Sequence, residues 1–396
     1  AGGAMAERPC SVEDLGVKIR GEISMEVSRK DSWSELQDFY RGKRVLVTGH
    51  TGFKGSWLSI WLTMLGANVV GYALDPYSTR SNYCASHLKE HIFADVRGDM
   101  RDGEKLEETI AKYQPEIVFH LAAQALVRTA YDNPKYTYET NVIGSLNVLE
   151  AVRKFDCIKT VVMITSDKCY ENVEQIWGYK ETDRMGGYDP YSSSKGCAEL
   201  MISSYRNSYF NPKDYAKHGK AIASVRAGNV IGGGDWSDNR LVPDCIRFIE
   251  ENKDIEIRSP KATRPWEHVL EPLSGYLRVG QKLMENPVEY AQGFNFGPPI
   301  ECNKTVWEVC EYLTKYYGKG RVVDKSTPNM VHENTLLSLD VTKAYRMLQW
   351  KAMLNFYEAI EYTVDWYKEA LNSNDMFEFS KQQIKNHMAK GYMWEE

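Results

Sequence analysis

The chain has 396 residues, eight cysteines and a formal net charge of −5, with 43% hydrophobic and 12% aromatic residues. That length implies one large or two interlocked domains, and the apolar content implies a packed globular chain rather than a disordered one. The acidic balance argues against nucleic-acid binding by bulk charge, and no apolar run approaches the roughly 18 residues of a membrane span.

The N-terminal stretch "AGGAMAERPC" lacks the apolar core of a signal peptide. Its small residues suggest an extension that is partly vector-derived, with Met5 or Met25 as native starts, so residues 1–40 are set apart from the fold. Cys10, Cys84, Cys157, Cys169, Cys197, Cys245, Cys302 and Cys310 are scattered without a C-x-x-C pair. Neither a zinc site nor a disulfide framework is expected, and a reducing cytoplasm is the natural compartment.

From Lys43 onward short β-branched runs alternate with helical patterns. "RVLVTG" from Arg44 reads as a strand, "SWLSIWLTML" from Ser56 as a helix, and "ANVVGYAL" from Ala67 as the next strand. Further strands are expected in "EIVFHLAA" from Glu116, "TVVMIT" from Thr160 and "AIASVRA" from Ala221, with a helix in "GSLNVLEAVRKF" from Gly144. The alternation predicts an α/β fold with a doubly wound parallel sheet of Rossmann type. After about Asn229 it loosens into loops rich in Gly, Pro, Arg and Trp, which suggests a smaller C-terminal α/β domain. The expected division is 41–228 for the first domain and mainly 229–396 for the second, with part of 265–290 returning to the first. Two later helices should bury Val306, Val309, Cys310 and Leu313, and Ile360, Val364, Tyr367 and Leu371, by spacing of three and four.

"TGHTGFKG" places Gly49, Gly52 and Gly55 between the first strand and the first helix. Glycines there allow a tight turn and close approach of a pyrophosphate to the helix N-terminus. Asp75, twenty positions beyond Gly55, can bind ribose hydroxyls and repel a 2′-phosphate, which favours NAD over NADP. The nearby Arg80 is the one feature that pulls the other way. Farther on, "YSSSK" sets Tyr191 and Lys195 four apart after Asp189-Pro190, a good helix start. Such residues share a helix face. The lysine is expected to lower the phenol pKa, so that Tyr191 can deprotonate an alcohol as hydride leaves its carbon. About twenty residues earlier, "TSDKCY" brings Asp167 and Lys168 to the end of a strand, with Ser166 and Thr165 supplying hydroxyls.

These motifs, with "HLAAQ" and "TNVIGSLNVLEAV", resemble the extended short-chain dehydrogenase/reductase family from residue 43 onward. The strings "TSDKCYEN", "GGYDPYSSSKGCAEL", "VRAGNVIGGGDW" and "RPWEHVLEPLSGYL" are similar to its sugar-nucleotide 4,6-dehydratase group. Many members of that group carry Asp-Glu where this chain has Asp167-Lys168, and the Asp-Lys form matches those acting on CDP-linked glucose. The resemblance implies NAD as cofactor, CDP-D-glucose as substrate and a homodimer paired through helices. A GDP- or dTDP-linked hexose is the alternative substrate. A 4-epimerase would have no use for the Asp-Lys pair, and a silent NAD-binding regulator would have lost Tyr191 or Lys195. It also implies that Thr51, Phe53 and Lys54 join the cofactor turn, that Asp99 and Met100 of "GDMRD" meet the adenine, and that Ala122, Ala123, Gln124, Thr140 and Thr165 line the cofactor groove.

For the reaction, Tyr191 is expected to deprotonate the 4-hydroxyl, held by Ser166 or, second, Thr165. Once C4 is a ketone the C5 proton is acidic. Lys168 is expected to take that proton and Asp167 to protonate the departing C6 hydroxyl, although free groups carry the opposite protonation states. Asn229, Arg240 and Arg264 are expected at the diphosphate or ribose, with Arg258 an even choice between substrate and solvent. Arg128 is a sugar-side candidate, and Trp266 and His268 are candidates to flank the base. A lone His without a second nearby gives no metal site.

Overall fold

The computed structural model describes residues 32–326 and 337–390. Of the 1–40 extension, residues 1–31, with Met5, Cys10 and Met25, lie outside the described residues, whereas Ser32–Tyr40 forms a helix whose Leu36 and Tyr40 join the core of the fold. Among the described residues twelve strands form in chain order: β1 Arg44–Thr48, β2 Asn68–Ala73, β3 Ala94–Arg97, β4 Ile117–His120, β5 Thr160–Ile164, β6 Ala221–Ala227, β7 Asn229–Ile231, β8 Ile255–Ile257, β9 Thr263–His268, β10 Gly293–Phe296, β11 Asn303–Thr305 and β12 Val322–Asp324. Helices used below are α1 Phe53–Met64, α2 Gly144–Lys154, α3 Pro190–Ser208, α4 Leu241–Glu250 and α5 Leu270–Glu285.

Seven strands make one parallel sheet in the order β10-β6-β5-β4-β1-β2-β3. The chain winds outward from β1 through β2 to β3, then restarts at β4 on the other side. Between β1 and β4 lies the switch point, where such sheets open a crevice at the carboxyl ends of their strands. β1, β2, β4 and β5 are mostly apolar and buried, as strands covered on both faces are, whereas the edge strand β3 carries Asp95 and Arg97 and is half-buried. Val45, Val47, Phe119 and Val162 join a core with Trp57, Trp61, Leu273 and Leu277 of α1 and α5. Their neighbours Leu46, Val118 and Val161 point the other way, into a core with Val148, Leu149 and Val152 of α2.

The small elements follow mainly after β6. β9 lies between antiparallel β11 and parallel β7, and β8 pairs with β12. β10 returns to the edge of the large sheet. In the helix Val306–Tyr317, Val309, Cys310 and Leu313 are buried, with Val306 at the margin. In the helix Phe356–Glu369, Ile360, Val364 and Tyr367 are buried, whereas Leu371 falls beyond the last turn and is exposed. The expected apolar stripe therefore ends one turn earlier than its spacing suggests.

Candidate active site

A cleft of about 1360 Å³ runs along the carboxyl ends of β1, β2, β4, β5 and β6 and under α4. It exceeds the roughly 300–1,000 Å³ of an ordinary single-ligand pocket, so it has room for a dinucleotide and a second nucleotide side by side. On one side the turn after β1 forms a cradle. Gly49 has φ +76°, and a Cβ there would fall 2.8 Å from the Ala122 amide nitrogen. A Cβ on Gly55 would sit 2.1 Å from the Gly49 carbonyl oxygen. Gly52 caps α1 without a side-chain bond, which leaves the first-turn N–H groups for an anion. Thr140 lines the same cleft, and its buried hydroxyl has no hydrogen-bond partner among the described residues. These features fit a bound dinucleotide.

Asp75 follows β2 at the cleft wall, where Arg97 Nε donates to its Oδ1 at 2.9 Å. Arg97 is a residue the sequence reading missed. It also pairs with Asp95, and its Nη2 donates to the Tyr83 hydroxyl at 2.6 Å. Asp95 in turn binds the buried His50 ring at 2.8 Å. Arg80 lines the cleft as well, its guanidinium in a bidentate pair with Glu250 and stacked 3.6 Å from the Trp236 ring centroid.

The reacting cluster assembles where β5 ends against α3. Asp189 caps α3 by accepting the Ser192 N–H at 3.0 Å, and Pro190 occupies the first turn. Tyr191 and Lys195, one turn apart, are both buried and both line the cleft. After β5 the Ser166 hydroxyl donates to Asp167 Oδ1 at 2.9 Å and accepts the Lys168 N–H at 3.2 Å. Thr165, by contrast, donates its hydroxyl to Glu199 at 2.5 Å. Ser166, which does not bond to Glu199, lines the cleft together with Tyr191.

Electrostatics depart from the sequence expectation at the tyrosine. Burial pushes the Tyr191 phenol up to about 12; the Ser166 hydroxyl moderates this and the Asp167 charge adds to it. The Lys195 ammonium lies 6.0 Å from the ring centroid, and desolvation is the dominant influence on the phenol. Lys195 itself is brought down to about 8 by burial and by the like charge of Lys54. Asp167 is raised by burial, against the pull of Lys168, Ser166 and Lys54. A second missed residue is Glu267 on β9. Burial raises its carboxyl well above the usual range, opposed by the ammonium of Lys54.

The cleft wall gathers Gly49, Thr51, Gly52, Phe53, Lys54, Gly55, Asp75, Asp99, Met100, Ala122, Ala123, Gln124, Thr140 and Thr165, together with Ser166, Asp167, Lys168, Tyr191 and Lys195. Arg128, Asn229, Arg240 and Trp266 line it too. Arg240 pairs with Asp235 at 2.9 Å, and Arg128 donates to Asn239 at 3.0 Å. Three candidates lie off the cleft wall. His268 is fully buried between the rings of Trp57 and Tyr362, so β9 turns it into the core rather than toward a base. Arg258 is exposed just past β8, and Arg264 donates to its neighbour's carbonyl (Thr263 O); neither lines the cleft. Among the described residues no group of three His, Cys, Asp or Glu side chains could hold a metal ion, and no helix is long and apolar enough to cross a membrane.

A doubly wound sheet with a glycine cradle, a strand-end hydroxyl and a Tyr-x-x-x-Lys helix defines a dehydratase or epimerase of the short-chain dehydrogenase/reductase type. The GDP-mannose 4,6 dehydratase family model matches residues 46–363, and the chain belongs to that family. It is 49% identical over 353 residues to the CDP-glucose 4,6-dehydratase of Salmonella typhimurium, a match that spans 89% of this chain and 98% of that protein. It is 33% identical to the CDP-paratose 2-epimerase of Salmonella typhi, over 82% of this chain and 98% of the relative. Among solved structures, the dTDP-glucose 4,6-dehydratase of Bacillus anthracis in complex with NAD shares the fold. Its TM-score is 0.68 at 22% identity, covering 83% of this chain and 97% of that one.

Proposed function

We propose that the chain is an NAD-dependent 4,6-dehydratase that converts CDP-D-glucose to CDP-4-keto-6-deoxy-D-glucose and water. The observation that carries this reading is the convergence of Ser166, Asp167, Lys168, Tyr191 and Lys195 on one wall of a cleft whose other wall is the glycine cradle. The Asp-Lys pair separates it from an epimerase, which moves no C5 proton and loses no water. The cytidine assignment rests on the 49% identical relative.

NAD, when bound, supplies the oxidant for C4 and returns the same reducing equivalent at C6. Gly49, Gly52 and Gly55 would admit its pyrophosphate, Asp75 its adenosine ribose, and Asp99 and Met100 its adenine. Tyr191 takes the proton of the 4-hydroxyl, whose oxygen Ser166 orients. Lys195, in the cleft one turn below, holds positive charge beside the developing phenolate. Lys168 takes the C5 proton, which the new ketone has made acidic, and Asp167, whose carboxyl burial raises, gives one to the departing C6 hydroxyl. Lys168 then returns its proton to C5. Arg128, Asn229 and Arg240 are the sugar-nucleotide contacts in this reading. Residues 41–228 carry the cofactor and mainly 229–396 the sugar nucleotide.

A homodimer paired through helices completes the proposal, supported by the exposed apolar side chains Ile143, at the start of α2, and Leu200 on α3. The free thiols of the described cysteines suit a reducing cytoplasm. The test is mass spectrometry of the protein with NAD and, separately, CDP-, GDP-, dTDP- and UDP-glucose. Loss of one water from the CDP sugar alone is expected, and loss from another nucleotide alone would overturn the substrate.

A further inference from the structure

At the Asp75 end of the cleft a side-chain network reaches well behind the wall. Arg97 is the last residue of β3 and lies in register with Ala73, the last of β2; Asp75 stands two residues beyond that end. Thr51 of the glycine turn donates to the Leu74 carbonyl at 2.9 Å, which fixes the backbone just ahead of Asp75. The Asp75 side chain itself is 89% exposed, and a carboxylate so open to water is free to change rotamer unless a partner holds it.

Arg97 is that partner. Its Nε donates to Asp75 Oδ1 at 2.9 Å, while Oδ2 accepts no hydrogen bond among the described residues. The rest of the guanidinium is anchored from behind. Nη1 pairs with Asp95, and Nη2 donates to the Tyr83 hydroxyl at 2.6 Å. The Asp95 side chain, only 6% exposed, also accepts the Tyr83 hydroxyl at 2.5 Å and bonds the buried His50 ring at 2.8 Å. Burial holds the His50 imidazole below its usual pKa, against the pull of Asp95, so the positive charge that faces Asp75 is that of Arg97. Arg80, the other arginine of this region, is engaged by Glu250 and Trp236 instead.

We propose that Arg97 is a positioning residue that sets the cofactor preference: it holds the Asp75 carboxylate as a hook for an unmodified ribose, and it becomes the cation for a 2′-phosphate once that carboxylate is gone. The proposal rests on Asp75 being the ribose ligand, and it gives the selectivity to a pair rather than to one residue. With Asp75 present, its charge repels a 2′-phosphate. Arg97 cannot offset that repulsion, because its Nε is spent on Asp75 and its Nη atoms on Asp95 and Tyr83. Without the carboxylate, Nε is released to an anion of the cofactor.

The test is calorimetric titration of NAD, and separately NADP, into the full chain without sugar nucleotide, in wild type, Asp75→Ala, Arg97→Gln and the double variant. Arg97→Gln is expected to weaken NAD about tenfold, as loss of one charge-assisted hydrogen bond does, yet to leave NAD affinity unmoved once Asp75 is replaced. Asp75→Ala is expected to tighten NADP about tenfold over wild type, and adding Arg97→Gln to return that gain. Asp75→Ala keeps the buried half of the network, so its change of preference should come with a nearly wild-type melting temperature, which a general loosening of the fold would not give. Should Arg97→Gln fail to fold, Arg97→Lys, which keeps a charge beside Asp95 but not the planar fork, takes its place in the same cycle. NAD losses that simply add in the double variant overturn the assignment. So does an NADP gain that survives without Arg97, or one that Arg80→Gln abolishes instead. A wild type that binds neither dinucleotide would remove the cofactor reading itself, and the role of Arg97 with it.

Discussion

Lys168 carries the sharpest single-residue consequence. If it takes the C5 proton, Lys168→Ala is expected to reduce NAD when CDP-glucose is added yet fail to exchange the C5 proton with deuterated solvent; ordinary exchange by proton NMR would reassign the base. Behind the cluster, Glu199 has a structural part that its sequence position did not announce. Burial raises its carboxyl, and Arg226, Thr165 and Ser224 more than reverse this, bringing it down to about 2. A folded-state pKa below the unfolded value means that its stabilisation is present above about pH 4.5 and is lost as pH falls toward 2. Glu199→Gln leaves Arg226 buried without its counter-charge, 2.7 Å from where the carboxylate stood. It is expected to cost about 3–5 kcal/mol at neutral pH by urea unfolding, with the gap to wild type closing in acid. At this scale the motif residues were legible because their chemistry is carried by side-chain type at fixed spacing. Arg97 and Glu267 were not, since a charged residue in a strand gives no sign in sequence of which partner awaits it.

The cradle between β1 and α1 shows what can be read at the scale of an element. Two of the three glycines at this strand-to-helix junction are required by distances, because a Cβ on Gly49 would stand 2.8 Å from the Ala122 amide nitrogen and one on Gly55 2.1 Å from the Gly49 carbonyl oxygen. Gly55→Ala is therefore expected to destabilise the chain by about 1–3 kcal/mol through overpacking and to weaken NAD binding, as thermal unfolding and fluorescence titration would register. Unchanged NAD affinity would remove the cradle from the cofactor site. β9 shows the opposite case. "RPWEHV" suggested a base-stacking wall; Trp266 and His268, two apart, share a face of β9, but only Trp266 reaches the cleft, and His268 lies deeper, fully buried against Trp57. β3 and β10, each of four residues, were too short and too poorly flanked to stand out as strands.

Across the whole molecule, the doubly wound topology was readable from alternation alone, because a parallel sheet buried on both faces writes itself as repeated β-branched runs. Assembly is less visible, since an exposed apolar side chain is informative only once its place on a helix is known. Leu200 is 61% exposed on α3, the helix that carries Tyr191 and Lys195. Leu200→Glu is expected to convert a dimer to monomer in sedimentation equilibrium, and a dimer unaffected by that charge would place the interface elsewhere. The central claim is that C4 is oxidised and C6 reduced within one molecule. It is tested most directly by incubating CDP-glucose deuterated at C4 with the protein and NAD, then locating the label by mass spectrometry and NMR. The account predicts a product lighter by one water that carries the deuterium at C6. Deuterium remaining at C4 in a sugar of unchanged mass would contradict it.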